Sequence, residues 1–580
     1  MMHAPRLIGP RLALGPPGGT GVVPAAGQDA GAWIVALELE IYRPGGVTAA
    51  QDGWLNRPRM AARPLAQPLE STDMLRASDL GYRTEAGVAY PPTLEQSLAI
   101  DRQTNLHPSA PAAAVSWGTL RLANLGRQYD GLARGRNSDG RPLRILMGRR
   151  RRDEARGIEL DPPYASLAPL MTGVAEPWSM AEGALSVPVR DASYLLERPL
   201  QQSVYAGTGG LEGGPDLKGR RKPRARGGAN GFPIRDVSPV WVDRANGILQ
   251  VSDAPGVIVS VSEAGDPNQL VNIGEVEDFG DPWPAGTPGG RWRFISRADG
   301  LWLQLESPTT AQITADVIAN FPSGVLVSTA AGIARQMMLE DLGLPLSAID
   351  LDSFAGLDAA YPWQAGDYWD GSSAVTGDDA VGLMLASLGA KLIPARSGRL
   401  RAWALRALPV GARPAATYTT AHLVSVEPST RLSQAGLSPP PYRWRVGWGR
   451  NNTVIGTSDV DPDVAGYRLD FITSEYRQVT WLSTTLAAAW RKPNDPDVVP
   501  TRLLDAADAQ ALADALGAQW GAAPRLYDCV LPLEYGLRHE IGDALVIAYP
   551  LDDLDGGRIG QVVGEQTDLQ TATSRLTVLI

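Results

Sequence analysis

Glycine and proline recur so often along this chain that long helices are confined to a few places. The 580 residues include 63 glycines and 47 prolines, and both residue types weaken helix interiors. Hydrophobic residues make up 44% of the chain and charged residues 20%, which is typical of globular proteins with buried cores. The sequence therefore predicts several domains built mainly from short strands joined by tight turns.

Charge and cysteine content exclude several classes of protein. The net charge of −10 argues against a chain that grips nucleic acid over its whole surface, because neutralising phosphates requires cations. The single cysteine, Cys529, rules out internal disulfides and a cysteine-rich zinc or iron–sulfur site within one chain. The sequence shows no signal-peptide core and no apolar stretch of about 18 residues, so we expect a chain made in the cytoplasm without a membrane span.

Short apolar runs between residues 116 and 191 are typical of β-strands. Turn-forming Asn, Asp, Gly or Pro separate them, and such spacing predicts a small barrel or sandwich. A similar run, Ala32–Tyr42, lies near the N-terminus. The four runs of the first group are Trp117–Leu125, Arg141–Gly148, Leu170–Trp178 and Ala184–Asp191.

Helical periodicity predicts two helices in the region 312–414. The first follows a cap at Ser328 or Thr329 and ends at Gly343, which can adopt the left-handed conformation. The second has Asp378 or Asp379 as its cap. Together with the strands that follow, these helices predict an α/β module.

The C-terminal part of the chain reads as β with one embedded helix. That helix covers about residues 505–521, where Ala509 and Leu512 begin an apolar face of helical spacing. Hairpins are predicted to turn at Ser397–Gly398 and across Asp555–Gly557.

Glycine and basic residues are concentrated in the segment Val204–Gly228. Gly214 and Gly219 have the spacing of a phosphate-binding loop, but Arg220 and Arg221 stand where that motif needs Lys and Ser or Thr. A dinucleotide fingerprint also fails, because Glu212 replaces its third glycine. We therefore disfavour a nucleotide site here.

The same segment carries six cations without an interleaved aromatic residue, which argues against a single-strand nucleic-acid grip. It is interpreted as a solvated or interface-bound loop. The six cations are Lys218, Arg220, Arg221, Lys222, Arg224 and Arg226.

No catalytic, cofactor-binding or metal site is predicted. The four histidines, which are His3, His107, His422 and His539, are far apart in sequence and form no metalloprotease-type pair. Cys529 lies in a strand pattern, where a buried thiol is the ordinary interpretation. A pair of carboxylates for glycoside hydrolysis stays open, because the sequence does not give their separation.

Two charged runs have plain interpretations as well. Asp459, Asp461 and Asp463 have calcium-loop spacing, but Val464 replaces the required glycine, so a solvated acidic turn is favoured. The run Arg149–Arg152 is followed at once by acidic residues and is interpreted as a charged turn.

The order of several motifs resembles a tail protein common in long-tailed, siphovirus-type bacteriophages and prophages. The resemblance covers most of residues 75–580. Gly126 departs from it, because an Asp is expected at that place in an Asn-x-Asp-Gly turn. The matching stretches include ASDLGYRTE (Ala77–Glu85), GTLRLANLGRQYDGL (Gly118–Leu132), SDGRPLRILMG (Ser138–Gly148), the segment Val204–Gly228, NGFPIRDVSPVWVD (Asn230–Asp243), the region around Ala365–Leu405 and the region around Leu533–Asp568.

The resemblance implies a baseplate or tail-tip hub, similar to the central hub of contractile tails. Such a hub has two small β-barrel domains with intervening α/β and β domains, and it is usually a trimer whose six barrels match a sixfold tube. The implied regions are an N-terminal extended or β region (1–115), a first barrel (116–240), a β insertion (241–311), an α/β module (312–414) and a second barrel (415–580).

The implied role is structural, without enzymatic activity or cofactors. The partners would be a distal tail protein ring, the C-terminus of the tape-measure protein and tail fibre or tip proteins. Genomic DNA would pass through the channel without sequence-specific binding, and the protein would reside at the tail tip of the virion after assembly in the bacterial cytoplasm. The segment Val204–Gly228 would gain its order from neighbouring subunits, and its cations would pair with acidic surface on a neighbouring chain or face passing DNA. The alternatives are a tail-associated cell-wall hydrolase and a distal tail or receptor-binding protein.

Overall fold

The computed structural model describes residues 30–43, 71–109, 114–181, 183–285, 290–569 and 571–580. Strands account for 40% of it and helices for 17%, so the predicted mainly β class is confirmed. None of the helices in these ranges is long and apolar enough to cross a membrane.

The first large sheet combines N-terminal strands with all four strands predicted between residues 116 and 191. It therefore crosses the boundary predicted at residue 115, because Ala30–Arg43 pairs with Arg141–Asp153. In spatial order its strands are Ser71–Ser78, Ala30–Arg43, Arg141–Asp153, Ala168–Ala175, Ala184–Arg190, Thr119–Ala123 and Leu94–Gln96, with Ile158–Leu160 and Ser179–Ala181 added at the side.

The run Arg149–Arg152 is not a turn, contrary to the prediction. It continues the strand Arg141–Asp153, where Arg149 contacts Glu534 at 3.2 Å and Arg150 contacts Asp161 at 2.8 Å. These carboxylates lie far along the chain or beyond the next turn, so the sequence pattern could not show them.

The second large sheet is made mainly of C-terminal strands and encloses a core that contains Cys529. Ala99–Gln103, from the N-terminal part of the chain, pairs with Arg558–Asp568, and Ala114–Ser116 pairs with Ala99–Gln103. The remaining strands, in spatial order, are Ala416–Tyr418, Ala544–Ile547, Arg558–Asp568, Thr573–Leu579, Leu526–Pro532 and Ser425–Pro428.

Two closed β-barrels, as predicted, are not confirmed. A single isolated bridge between Ser78 and Pro92 brings the two ends of the first sheet together. In the second sheet, residues 419–424 connect the end strands, and no strand pairing joins these ends in the described part of the chain. Among the described residues, neither of these two large sheets therefore closes through a continuous ladder of paired strands. A single bridge links the ends of the first β module, and a connecting segment links the ends of the second.

Two five-stranded sheets share a core in the middle of the chain. Buried side chains such as Val317 and Leu303 face each other between them. The first sheet contains Ile234–Val237, Ile313–Ala319, Arg224–Gly227, Gly366–Trp369 and Gly256–Glu263. The second contains Val240–Asp243, Ile248–Ser252, Gly300–Leu305, Arg291–Arg297 and Val271–Glu275.

The two helices predicted for the α/β module are present, with one corrected cap. Ala330–Gln336 follows Thr329 and continues as a π-helix, Met337–Asp341, before Gly343 turns the chain with a φ of 66°. The second helix begins earlier than predicted, because the hydroxyl of Thr376 accepts a hydrogen bond from the backbone N–H of Asp379. Asp378 and Asp379 therefore lie in its first turn, where a negative charge interacts favourably with the helix dipole.

One helix of this module was not predicted. Leu351–Ala360 is ten residues long and buries only Phe354 and Leu357, so its apolar face is short. The second predicted helix is Gly377–Ala386, and the hairpin Ala390–Pro394 with Leu400–Ala404 turns at Gly398 as predicted.

The predicted C-terminal helix is Ala506–Trp520, capped by Asp505. It packs on a three-stranded sheet of Arg477–Leu482, Arg443–Trp448 and Val499–Pro500. The shorter elements are the helices Asp130–Gly135, Arg431–Gln434, Tyr467–Ile472, Thr484–Ala489 and Leu533–Gly536, the 3-10 turns Tyr164–Ser166, Ala192–Glu197, Gly210–Glu212, Pro215–Leu217 and Leu346–Ala348, and the strand pair Tyr82–Arg83 and Ala89–Tyr90.

Candidate functional site: the basic segment and the buried ion pairs around it

The glycine-rich segment Val204–Gly228 is ordered by its own hydrogen bonds. Its two arms pair through Tyr205, whose N–H donates to the carbonyl of Arg220 and whose carbonyl accepts from Gly219. At the tip, Gly207 has a φ of 72° and approaches Lys218 so closely that an added Cβ would lie 2.7 Å from the Cβ of Lys218. The expectation that a neighbouring subunit must order this segment is therefore wrong.

The segment folds around its own carboxylate. Glu212 accepts hydrogen bonds from the N–H of Ala206 at 3.1 Å and from the Nζ of Lys222 at 2.6 Å. The bond from Lys222 holds the pKa of Glu212 below its ordinary value. A carboxylate within the segment thus neutralises one of the six cations of the same segment.

Two of the six cations are buried, contrary to the prediction that they face outward. Arg224–Gly227 is a strand, and Arg224 donates to Asp253 at 2.6 Å. Arg226 donates from Nε and Nη2 to the two oxygens of Asp341, at 3.1 and 2.8 Å. Both guanidiniums are shielded from solvent. They therefore join the basic segment to the two modules that contain Asp253 and Asp341.

The close packing at the end of this strand requires glycine. Gly227 has a φ of 98°, and an added Cβ would lie 2.6 Å from both the carbonyl oxygen of Ala365 and the Cδ1 of Ile333. The strand is therefore held between Gly366–Trp369 on one side and the helix that contains Ile333 on the other.

A second buried cluster joins the two ends of the chain. Arg102, in the N-terminal strand Ala99–Gln103, donates to Glu565 and to Glu540. Arg396, next to the hairpin of the α/β module, donates to Glu540 at 3.0 Å. Burial alone would raise the pKa of Glu540, but the two arginines lower it to about 2. Three regions of the chain thus meet at one set of charges.

Two of the histidines lie close together although 117 residues separate them in sequence. The ring nitrogen Nε2 of His539 lies 2.5 Å from the hydroxyl of Tyr418, and His422 packs edge-on against Tyr418 and Tyr535. Sequence spacing gave no sign of this aromatic cluster. Burial raises the pKa of Tyr418 to about 12, so its hydroxyl stays protonated near neutral pH.

Of the other candidates, His107 lies apart from this aromatic cluster, whereas Cys529 shares the core of the C-terminal sheet with Tyr418. His107 stacks near Trp444 with ring centroids 6.0 Å apart, and burial lowers its pKa. His3 lies outside the described residues. Cys529 is fully buried, and burial raises the pKa of its thiol to about 12.

The acidic turn at Asp459–Asp463 is held by hydrogen bonds within the chain. Asp461 accepts from the side chain of Gln269 at 2.6 Å and from the N–H of Asp463 at 2.9 Å. In the ranges that the structure covers, no three His, Cys, Asp or Glu side chains are placed to hold a metal ion.

An acidic cleft of about 490 Å³ separates the first sheet from the α/β module. Most of its carboxylates are engaged within the chain: Asp191 accepts from the Nε1 of Trp117 at 2.7 Å, and Arg190 pairs with both Glu176 and Glu197. Burial, together with the neighbouring carboxylates, raises the pKa of Asp378 at its wall. The contacts of Asp191 and Arg190 hold the walls of the cleft in place.

Comparison with known proteins gives distant structural likenesses only. No protein-family model and no curated protein matches the chain. A 43 kDa tail protein of prophage MuSo2 from Shewanella oneidensis is 11% identical, with a TM-score of 0.32 over 85% of this chain and 95% of that one. A tail protein from Neisseria meningitidis is 10% identical, with a TM-score of 0.32 over 86% and 95%.

A third solved structure, a prophage tail protein from Listeria monocytogenes, is 8% identical, with a TM-score of 0.28 over 86% of this chain and 93% of that one. These values lie below those from which a shared fold or function follows.

Proposed function

We propose that this chain is a structural protein of a bacteriophage tail and that it forms the hub of the tail tip or baseplate. The ordered series of motifs along residues 75–580 supports this class of protein. The mainly β architecture is the class that such a hub requires.

The observation that carries the hub proposal is the junction between the two large β modules. Ala99–Gln103, from the N-terminal part of the chain, is a strand of the C-terminal sheet, and Leu533 and Leu537 from the C-terminal part pack in the core of the first sheet. Two β modules in one chain are thereby fixed side by side. Three such chains would present six β modules, which suits a threefold ring docked on a sixfold tube.

The buried ion-pair clusters favour a structural protein that must keep its shape when the tail is under mechanical load. Arg102 with Glu565, Arg226 with Asp341 and Arg502 with Asp367 each join segments more than 100 residues apart, as their sequence separations of 463, 115 and 135 show. Because removing one partner of such a pair leaves the other as an uncompensated buried charge, each pair ties the correct fit of two distant segments to both of its residues.

In this role the hub closes the tail tube and gates DNA ejection. It meets the distal tail protein ring above, the tape-measure C-terminus within and tail fibre or tip proteins below. The net charge of −10 suits a channel through which DNA moves without adhering, since like charges repel.

The proposal is tested on particles from the strain that encodes the chain. Quantitative mass spectrometry is expected to find three copies per particle, and labelled antibodies are expected to mark the tail tip. The purified chain is expected to have three times its 61.7 kDa mass in solution. Six copies per particle would instead identify a distal ring protein, and a cleared band in a cell-wall zymogram would identify a hydrolase.

A further inference from the structure

A cavity of about 490 Å³ lies between the glycine-rich segment and the edge strand Val240–Asp243. Its apolar wall is formed by Leu217, Val240 and Leu249, which are buried, and by the half-buried ring of Trp241. Among the strands that the structure describes, Val240–Asp243 is the end strand of its sheet and pairs with Ile248–Ser252 alone. The cavity therefore opens at a sheet edge.

Two arginines face this cavity without a carboxylate partner among the described residues. The Nε of Arg220 is buried and has no hydrogen-bond acceptor there, and its Nη2 makes one long contact, 3.4 Å, with the carbonyl oxygen of Asp370. Arg244 is exposed at the rim, where its guanidinium stacks on Trp241 at 4.6 Å. The terminal nitrogens of Arg220 therefore keep donor capacity, and because charge-assisted hydrogen bonds from a guanidinium are strong, they can bind an anionic oxygen in the cavity.

Arg220 is fixed in this orientation by the segment that carries it. Its N–H donates to the carbonyl of Leu217, and its own carbonyl accepts from Tyr205, which is buried. The charge is therefore presented from an ordered turn, in contrast to the flexible surface arginines that bind anions weakly.

The remaining charges of the cavity decide which anion fits. Asp216 and Asp370 also line it, and two carboxylates repel a dianionic phosphate or a nucleic-acid backbone. A single carboxylate carries less charge and matches the forked geometry of a guanidinium. The apolar wall then suits the methylene groups of the same side chain.

We propose that this cavity binds the carboxylate of a Glu or Asp side chain from a neighbouring protein chain. Arg220 donates to the carboxylate from its terminal nitrogens, the ring of Trp241 covers the side-chain methylenes and Arg244 neutralises the charge from the rim. Carboxylate binding at this cavity can be measured on the isolated chain, and it does not depend on the proposed role in a phage tail.

Saturation-transfer NMR on the full-length chain at pH 7 tests the proposal, since this method detects weak ligands. The probes are N-acetyl-glutamic acid amide and the matching N-acetyl-glutamine amide. We expect transfer to the methylenes of the Glu probe to be at least several-fold stronger than to the Gln probe. Arg220→Gln is expected to abolish this difference.

Arg221→Gln is the matched control, because Arg221 is the adjacent cation and does not line the cavity; it should keep the difference. Should Arg220→Gln fail to fold, Arg220→Lys keeps the charge but lacks the paired terminal nitrogens of a guanidinium, and it should reduce the transfer strongly. Equal signals for the two probes, or an unchanged Glu signal in the Arg220 variants, would overturn the proposal. Displacement of the Glu probe by inorganic phosphate at matched ionic strength would overturn the carboxylate assignment.

Discussion

Arg102 and Glu565 form a buried ion pair although 463 residues separate them in the sequence. The Nε of Arg102 donates to Glu565 at 3.1 Å, and the guanidinium also reaches Glu540 at 2.6 Å. The side chain of Arg102 is fully buried, and that of Glu565 is 1% exposed. The pair therefore ties the N-terminal strand to the C-terminal sheet and makes the junction of the two β modules sensitive to a single charge.

Glu565→Gln is expected to destabilise the protein by about 3–5 kcal/mol, because two arginines would then share one carboxylate in a buried site. Urea unfolding followed by tryptophan fluorescence measures the change in the free energy of unfolding. The control is Asp553→Asn, since Asp553 pairs with Arg558 at an exposed site and should change stability little. Equal effects of the two substitutions would show that the buried pair does not hold the junction.

The stability of this junction is expected to decrease at acidic pH. Glu540 has an ordinary pKa of 4.5, which Arg102 and Arg396 lower to about 2 against the effect of burial. A carboxyl group whose pKa is lower in the folded than in the unfolded protein stabilises the folded state at pH values above its unfolded pKa. Its contribution is lost as the pH falls from about 4.5 to about 2.

Thermal unfolding at a series of pH values from 6 to 2 measures this loss. The melting temperature of Glu540→Gln should start lower at pH 6 and fall less steeply below pH 4.5 than that of the unchanged chain. Parallel curves for the two proteins would contradict the assignment of the acid sensitivity to Glu540.

The six cations of the basic segment are expected to fall into two groups. Arg226→Gln removes a guanidinium that donates twice to Asp341 in a buried site, so it should lower the free energy of unfolding by about 3–5 kcal/mol. The double variant of Lys218 and Arg221 to Gln changes exposed or half-exposed groups and should leave unfolding unchanged. Equal losses of stability, measured by urea unfolding, would refute this division.

Gly227→Ala is expected to destabilise the central sheet. The new methyl group would lie 2.6 Å from the oxygen of Ala365, and the φ of 98° strains any residue with a side chain. The control is Gly382→Ala, inside the helix Gly377–Ala386, where an added Cβ has open space around it. This second change should raise the free energy of unfolding by about 0.5–1 kcal/mol. The melting temperatures of the two variants should therefore move in opposite directions.

The sequence predicted local elements well where the signal was itself local. The helix predicted at about 505–521 is Ala506–Trp520, and the hairpin turn predicted at Ser397–Gly398 is present, since periodicity and turn chemistry depend on neighbouring residues. The cap was predicted at Asp378 or Asp379 rather than at Thr376, because Thr and Asp both cap helices.

Interactions between distant residues could not be predicted. No residue near Arg226 in the sequence indicates that Asp341, 115 residues later, binds it. The composition of the segment Val204–Gly228 therefore predicted an exposed basic loop. For the same reason Ala99–Gln103 could not be assigned to a C-terminal sheet. The candidate cavity at Arg220 was missed because its walls come from four separate stretches of the chain.

The single thiol offers a direct measure of how tightly the second β module is closed. Cys529 is fully buried in the core of the C-terminal sheet, and burial raises the pKa of its thiol to about 12. Because the thiolate is the reactive form, the folded protein should not react with a disulfide reagent at pH 8. In urea above the unfolding transition the thiol becomes solvated and regains an ordinary pKa near 8.5, so one equivalent should react rapidly.

The rate of this reaction in the folded protein then reports the opening of the module. Glu565→Gln should increase that rate, because the strand Arg558–Asp568 carries Glu565 and lies in the same sheet as Cys529. Asp553→Asn should leave the rate unchanged, because its ion pair lies at the surface. Rapid labelling of the unchanged chain without urea would contradict the closed core, since a thiol sealed between the strands of this sheet can react only when the sheet opens.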